Sequence, residues 1–428
     1  MRSDRELPVL IPSVTGQRWS CHSCGDCCRS LVVHLFPGER SRLDAQGWEE
    51  KLGVAPYVRL GRQWALNKRD DGACVFLDAR NLCRIHAESG ESAKPIACRV
   101  FPFSLRRTER NWQASLRFDC PSASASRGDA LHSQVQGLGA VSGALDDVLR
   151  VPPDRPKLPG GLVAREMEVN ALLDCLTQWL GERGTSPLRR ILGAARFTHT
   201  LSAARLKRVR YERFVELLDL LFGALASECA APSEPPTKRQ RAMLRQFAFA
   251  CSEHLTLSDA RGGIVRRWRK RMEQLRKARC FLTGAGIVPP LVGFAGEPSF
   301  AAVEAVQPAD GTDGRAINEL VNRYLLARIA GRTVFGAGYY GWPIVNGLAA
   351  LWLSVAAAGW IARYLAASDA RTLVNLNDTA RAIGVVDRGA TRLPSLGTFA
   401  ERTRASYFFS DDGLARILHT FRLAEDAL

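Results

Sequence analysis

The sequence lacks an N-terminal targeting signal and the commonest catalytic motifs. Its opening stretch, MRSDRELPVLIPSV, has charges where a signal peptide needs an apolar core. We therefore expect a cytoplasmic, bacterial-type protein, in a compartment where thiols stay reduced or bind metal. No Ser/His/Asp set, P-loop or H-E-x-x-H motif is recognisable. Their absence argues against a serine hydrolase, a P-loop nucleotide hydrolase and a zincin protease.

Acidic residues are the scarcer charged class. The chain of 428 residues has 43 Asp and Glu against 59 Lys and Arg, a formal net charge of +16. This excess indicates contact with acidic groups, and the partner we expect is a protein substrate or another acidic protein. No module that reads base sequence is recognisable, so we expect no sequence-specific nucleic acid partner, and no membrane partner either. The oligomeric state stays open.

Alternating β-branched runs are rare in the second part of the chain. Apolar residues recur at helical spacing in 212–228 and in 316–331, where Gly331 is expected to end the helix. A third predicted helix carries an apolar stripe of Val163, Met167, Leu172, Leu176 and Trp179. These patterns predict a mainly helical domain.

The first part of the chain has a different texture, rich in turns and cysteine. Short strands are expected in RSLVVHL and WALNK, and the segment is so loop-rich that we expect a metal centre to supply stability that apolar burial lacks. We predict an α+β protein of two or three domains. The boundaries are a Cys-rich module at 1–125, a Pro-, Gly- and Ser-rich linker at 126–161, and the helical domain at 162–428.

Two further segments have competing interpretations. Residues 333–362 carry no charge and are long enough to span a membrane, but glycines and a proline interrupt them, so we favour a buried central helix. Within them, GAGYYG at 336–341 matches G-x-G-x-x-G but lacks the strand and the acidic residue of a nucleotide loop. We predict a turn between helices there.

The segment 265–279, VRRWRKRMEQLRKAR, combines eight basic residues with apolar residues at helical spacing: Val265, Trp268, Met272 and Leu275. It predicts an amphipathic helix that could bind phosphates, an acidic partner or a membrane surface. We favour a simpler interpretation, in which the apolar stripe packs on the protein and the charged face is solvated.

Cysteine is concentrated near the N-terminus. Four cysteines lie in CHSCGDCC, and eight of the twelve lie in the first 120 residues: Cys21, Cys24, Cys27, Cys28, Cys74, Cys83, Cys98 and Cys120. The other four, Cys175, Cys229, Cys251 and Cys280, stand singly in helical sequence, as small buried hydrophobes do.

A C-x2-C turn brings two thiolates to one metal, and a further x2-C adds a third. Three such thiolates with a distant Cys-Pro, here Cys120-Pro121, match a bacterial ferredoxin cluster. Consecutive side chains diverge in an extended segment, so we expect Cys27 and Cys28 to serve different sites. Eight thiols make two four-thiolate sites by count, with the pairing open. A disulfide framework or a redox C-x2-C fits less well. His22, His34 or His86, of which His86 is the best candidate, could each replace a thiolate, but we favour a surface or packing role for each.

These residues resemble the CxxCxxCC family of zinc- or iron-chelating proteins, often called YkgJ-type cysteine-cluster proteins. The resemblance lies in CHSCGDCCR, in GACVFLDARNLCRIHAESGESAKPIACRVFPF and in DCPS, which together carry all eight cysteines. Two positions depart from the family pattern: His86 occupies a position where the family usually has an aromatic residue, and Lys94-Pro95 replaces Arg-Pro.

The resemblance implies thiolate ligation of zinc or of an iron–sulfur cluster, for which we favour 4Fe-4S. The family includes flagellin lysine N-methylases, which have a long helical C-terminal part, so it also implies a possible protein-lysine N-methyltransferase that uses S-adenosylmethionine. The alternatives are a non-enzymatic metal or cluster carrier, and a structural zinc module serving a helical interaction domain. No catalytic or S-adenosylmethionine-binding residue is assigned.

Overall fold

The computed structural model describes residues 7–253 and 257–426. It confirms the α+β class, because short strands occur in the N-terminal part and helices dominate the rest. The described residues form two compact units. The first comprises 7–11, 17–152 and 257–273, and the second comprises 12–16, 153–253 and 274–426.

Two small three-stranded sheets form the β part of the first unit. In sheet order the strands are Val9–Leu10, Trp112–Leu116 and Phe103–Arg107 in one, and His34–Leu35, Gln63–Leu66 and Tyr57–Leu60 in the other. All neighbours are antiparallel except the first pair, which is parallel. The strands expected in RSLVVHL and WALNK are confirmed as the first two of the second sheet. Because the strands are so short, loops make up much of this unit.

Helices of the first unit are also short, with one exception inside the expected linker. They are Asp26–Ser30, Glu39–Ala45, Trp48–Leu52, Arg84–Ser89, Ile96–Val100, Pro121–Ser124, Val135–Leu149 and Leu257–Arg261. Within Val135–Leu149, Leu138 and Val141 lie one turn apart and are buried beside Trp112 and Leu116. Tertiary packing therefore stabilises a helix where Pro, Gly and Ser nearby indicate a linker.

The first unit has more apolar core than its loop-rich sequence predicts. One cluster consists of Leu43, Trp48, Leu66, Val75, Phe76 and Ile85. Its Trp48 and Phe76 rings meet edge to face at 5.2 Å, a geometry that stabilises beyond area burial alone. Cys74, Cys83 and Cys98 pack against the edge of this cluster. The core therefore fixes the backbone from which these three thiols project.

The second unit is built around one long helix, Ile344–Ser368. Six helices contact it: Pro187–Ala203, Lys238–Ser252, Phe300–Ala305, Leu376–Arg392, Phe399–Tyr407 and Gly413–Thr420. Three more helices belong to the unit: Glu166–Gly181, Glu212–Glu228 and Gly311–Ala330. The helix Ile264–Thr283 begins in the first unit and ends in the second. Single 3-10 turns occur at Ser13–Thr15, Glu91–Ala93, Leu131–Gln134, Pro159–Gly161, Leu206–Arg208, Pro394–Gly397 and Ser410–Asp412.

The central helix is the one helix, within the described part of the chain, whose length and composition would let it cross a membrane. Its most apolar window is 94% buried inside the protein. Trp352 on this helix donates a hydrogen bond to the Thr198 hydroxyl at 2.9 Å. Burial on all sides is what a core helix requires, and it favours that interpretation of the uncharged segment.

The prediction of an apolar stripe on the helix Glu166–Gly181 is confirmed for three of its five residues. Leu172, Leu176 and Trp179 are buried, but Val163 precedes the helix and is 51% exposed, and Met167 is 42% exposed. The buried row instead starts at Val169.

The predicted turn at GAGYYG is confirmed. It lies between the helices Gly311–Ala330 and Ile344–Ser368, and the Gly336 amide donates to the Trp342 carbonyl at 2.9 Å. The Ala337 amide donates to the Asp154 carboxylate at 2.9 Å. In a nucleotide-binding loop such an amide would donate a hydrogen bond to a phosphate. Here it donates to a carboxylate of the protein itself.

Two ion pairs with fully buried carboxylates join elements of the second unit. Arg328 and Asp387 meet at 3.0 Å with 3% and 0% of their side chains exposed. Glu168 accepts two bonds from Arg210, both at 2.7 Å. Burial opposes ionisation of Glu168, but these bonds and two backbone amides outweigh it and hold its pKa below the usual range. Removing the arginine of either pair would leave an uncompensated buried carboxylate.

Candidate metal centre

All eight predicted cysteines line a single cavity of the first unit, of about 730 Å³. They come from five separate stretches of chain: Cys21 with Cys24, Cys27 and Cys28, then Cys74, Cys83, Cys98 and Cys120. None of the four single cysteines lines this cavity. The fold thus brings together the thiols that the motifs singled out.

The leading cluster turns at Gly25. Its φ of 74° is left-handed, a conformation open to glycine, and it caps the helix Asp26–Ser30. Cys24 precedes this turn, and Cys27 and Cys28 follow in the helix. A Cβ at Gly25 would also meet the ends of two side chains, Arg29 and, at 3.0 Å, the Asn81 Oδ1, and both would have to move.

Cys27 and Cys28 do not diverge as expected. Their sulfur atoms lie 3.9 Å apart, because the segment is helical rather than extended. Two thiolates on one tetrahedral zinc, each about 2.3 Å from the ion, lie about 3.8 Å apart. The adjacent pair can therefore contact one ion or two neighbouring centres.

Three thiols form an inner group beside the apolar core: Cys74, Cys83 and Cys98. The Cys74 amide donates to the Cys28 carbonyl at 3.0 Å, which joins this group to the leading cluster. Burial raises the pKa of Cys74 to about 11. Burial also raises the pKa of Cys98, and negative charge on Cys74 and Cys83 raises it further.

The remaining thiols form an outer group. Burial raises the pKa of Cys120 to about 11, against a hydrogen bond from the Ala123 amide, and charge on Cys24 adds to the rise. The pKa of Cys24 is raised by burial and by charge on Asp26, Cys27 and Cys21. Cys21 and Cys24 are exposed, unlike the inner thiols. The two groups meet at Cys27 and Cys28.

The donor chemistry fits zinc and iron, because soft thiolates select zinc and iron–sulfur clusters. Within residues 7–253 and 257–426, however, no three His, Cys, Asp or Glu side chains stand close enough to hold one ion. To hold a metal ion, the thiols that line the cavity would have to rotate toward a common point. Two of the candidate histidines, His22 and His86, line the cavity, and His34 does not. His22 Nδ1 lies 3.0 Å from the Ser122 hydroxyl.

Two lysines lie among the thiols, and sequence reasoning assigned neither to the site. Burial lowers the pKa of Lys68, and charge on Cys74 and Cys28 partly offsets this. The Lys94 charge acts to lower the pKa of both Cys27 and Cys98. A four-thiolate centre carries negative charge, which these cations would offset. Lys94 was visible only as a departure from the family's Arg-Pro, and no motif marks Lys68.

A buried carboxylate places the helix that carries Cys98. Glu39 is 2% exposed and accepts from the Ile96 amide at 2.7 Å and from the Phe36 amide at 2.8 Å. It thereby satisfies the first amide of the helix Ile96–Val100.

Comparison with known proteins agrees with this geometry. Residues 20–120 match the model of a family described as "CxxCxxCC: Putative zinc- or iron-chelating domain". The matched stretch is called the CxxCxxCC domain below. The family resemblance is thus confirmed for about a quarter of the chain, and it supports zinc or iron as the bound metal.

One curated relative of the CxxCxxCC domain is an uncharacterized protein of Methanocaldococcus jannaschii. It is 33% identical over 89 residues, which are 21% of this chain and 30% of that protein. The chain therefore matches under a third of that relative's length. No solved structure matches the chain.

Proposed function

We propose that the CxxCxxCC domain holds iron–sulfur centres through its eight cysteines, in the reducing cytoplasm. The observation that carries the proposal is the convergence of all eight thiols on one cavity of about 730 Å³. One zinc ion takes four ligands at about 2.3 Å and needs far less space. The remote Cys120-Pro121 adds the ligand pattern of a ferredoxin cluster.

The proximities favour two four-thiolate sets. The outer set is Cys21, Cys24, Cys27 and Cys120, and the inner set is Cys28, Cys74, Cys83 and Cys98. Cys24 is linked by charge to Cys21, Cys27 and Cys120. We assign Cys28 to the inner set because its carbonyl accepts a hydrogen bond from the Cys74 amide at 3.0 Å. Charge on Cys27 also acts on Cys74 and Cys98, so the adjacent pair Cys27 and Cys28 joins the two sets.

The test is purification without oxygen, an absorption spectrum, and counts of iron, sulfide and zinc per chain. We expect a brown protein with a broad visible band, with iron and sulfide together. A colourless protein with stoichiometric zinc would refute iron–sulfur binding.

Paired variants test the partition into sets. Cys21→Ser with Cys24→Ser should remove the outer centre only, and Cys74→Ser with Cys98→Ser the inner centre only, so each pair loses about half of the metal. Cys175→Ser, outside the cavity, is the matched control and should keep the full load. Complete metal loss from either pair would contradict two separable centres.

Structural zinc is the second candidate, and the 3.9 Å between the Cys27 and Cys28 sulfurs favours it. That distance suits two thiolates on one zinc. A structural zinc domain would unfold when chelated, since metal binding and folding are coupled. Loss of the circular dichroism signal on chelation of a colourless protein would establish this function.

Protein-lysine N-methylation with S-adenosylmethionine is a further proposal, supported by the size of the cavity. Small-molecule sites measure roughly 300–1,000 Å³, and this cavity falls in that range. Its polar lining includes Lys68, Asn81 and Gln134. Calorimetric titration of S-adenosylmethionine into the reconstituted protein tests the proposal, and absence of binding would exclude it.

A non-enzymatic carrier is supported by the exposure of Cys21 and Cys24. Exposed thiols can exchange a bound metal with an acceptor, whereas the inner set is shielded. Transfer of metal from the loaded protein to an apo-ferredoxin, faster than release into buffer, would support this role. Release that no acceptor accelerates would refute it.

A further inference from the structure

The helix Ile264–Thr283, here called the basic helix, turns its apolar stripe to solvent. Val265 is 72% exposed, Trp268 63% and Leu275 57%, and Met272 is 37% exposed. The prediction that this stripe packs against the protein is therefore wrong. An aromatic and three aliphatic side chains in one exposed row require a separate explanation, because single exposed apolar residues are ordinary but a contiguous row is not.

A different face of the basic helix packs against the protein. Phe281 is fully buried, and Lys270, Gln274 and Ala278 are half-buried. These residues recur three or four apart and so share one side of the helix. At 100° per residue, the exposed stripe is centred about two fifths of a turn from them. The helix is thus anchored by one face while its stripe faces outward.

Positive charge borders the stripe. The basic residues of the helix are Arg266, Arg267, Arg269, Lys270, Arg271, Arg276, Lys277 and Arg279, and Glu273 is its one acidic residue. By the same helical angle, Arg269 and Arg276 border one edge of the stripe and Arg271 the other. Long arginine side chains beside an apolar row can reach headgroups while the row inserts.

We propose that the basic helix docks the protein on an anionic lipid surface. The stripe would enter the boundary between headgroups and acyl chains, with Trp268 at the level that amphipathic rings favour, and the arginines would bind phosphate groups. A soluble polyanion would use the charges and leave Trp268 and Val265 in water. The combination therefore favours a membrane surface over nucleic acid. An acidic protein would need an apolar groove that accepts only one face of the helix, because another face packs on this protein. This is surface docking, distinct from a transmembrane span and independent of the metal.

The test is co-sedimentation of the full-length, metal-loaded protein with vesicles. Phosphatidylcholine vesicles are compared with vesicles in which roughly a third of the lipid is phosphatidylglycerol. We expect binding to the anionic vesicles only, weakening as salt rises. Near an anionic surface each basic residue contributes about fivefold in partitioning, so changing Arg266, Arg269 and Arg271 to Gln should weaken binding roughly a hundredfold.

Substitution of the stripe separates a membrane from a polyanion. Val265→Glu with Trp268→Glu should abolish vesicle binding. Leu220→Glu, which changes a 74% exposed leucine on Glu212–Glu228, is the matched control and should bind as wild type. The milder Trp268→Ser should weaken binding measurably, and circular dichroism and metal content verify that each variant is folded.

Two results would overturn the proposal. One is no binding to anionic vesicles. The other is a pair of observations: the Val265→Glu, Trp268→Glu variant binds vesicles as wild type does, and the triple arginine variant loses binding to a DNA duplex. That pair would assign the helix to a soluble polyanion.

Discussion

The buried carboxylate of Glu39 offers the sharpest test of how the CxxCxxCC domain positions its inner thiols. Glu39→Ala removes the acceptor of the Phe36 and Ile96 amides, which are held at 2.8 Å and 2.7 Å. A hydrogen bond to a charged group contributes about 1.5–3 kcal/mol, and an amide left buried without a partner is penalised further. With two bonds lost, we expect the free energy of unfolding to fall by about 3–5 kcal/mol.

Urea denaturation of the metal-loaded protein, followed by circular dichroism, measures this loss. A second readout is metal affinity, because the Ile96 amide begins the helix that carries Cys98 and a loosened helix should ligate less well. Glu39→Gln keeps one acceptor oxygen and should fall between wild type and Glu39→Ala.

Glu88→Ala is the matched control. Glu88 is a partly exposed glutamate that pairs with Lys51 and Arg84 at 3.1 Å and 3.3 Å, on a helix of the same domain. We expect it to leave the denaturation midpoint unchanged, because exposed pairs contribute little. If Glu39→Ala denatured at the wild-type midpoint and kept its full metal load, the role assigned to Glu39 would be refuted.

Three other substitutions test the fold and the site. Gly25→Ala forces a left-handed φ on alanine beside Asn81, and should cost about 1–2 kcal/mol and reduce the metal count per chain. Arg328→Met leaves the Asp387 charge buried and should cost about 3–5 kcal/mol in thermal denaturation, most of it restored by adding Asp387→Leu. Glu168→Gln should lower the free energy of unfolding at pH 7. A carboxyl whose pKa is held low in the folded state stabilises the protein above its unfolded pKa and loses that contribution as pH falls. The difference in unfolding free energy between variant and wild type, measured by urea denaturation, should therefore disappear below about pH 4.

The clearest sequence predictions concern elements whose signal is local. The helix Glu212–Glu228 and the end of Gly311–Ala330 at Gly331 follow from 3.6-residue periodicity and a stop residue. Val135–Leu149 is missed as an element, because its two buried anchors, Leu138 and Val141, depend on partners distant in sequence. The divergence expected of Cys27 and Cys28 fails for a related reason, since it assumes an extended backbone where Gly25 begins a helix.

By itself the sequence determines the class of chemistry and the helical character of the second part. Thiols at C-x2-C spacing select soft metals whatever surrounds them, and periodicity shows which side of a helix is apolar. Only the tertiary structure decides what covers that side, so the exposure of Trp268 and Val265 could not be predicted. It alone decides which distant thiols share a cavity, and it adds Lys68, Lys94 and Glu39 to the site, because loop closure and burial depend on contacts between residues far apart in the chain.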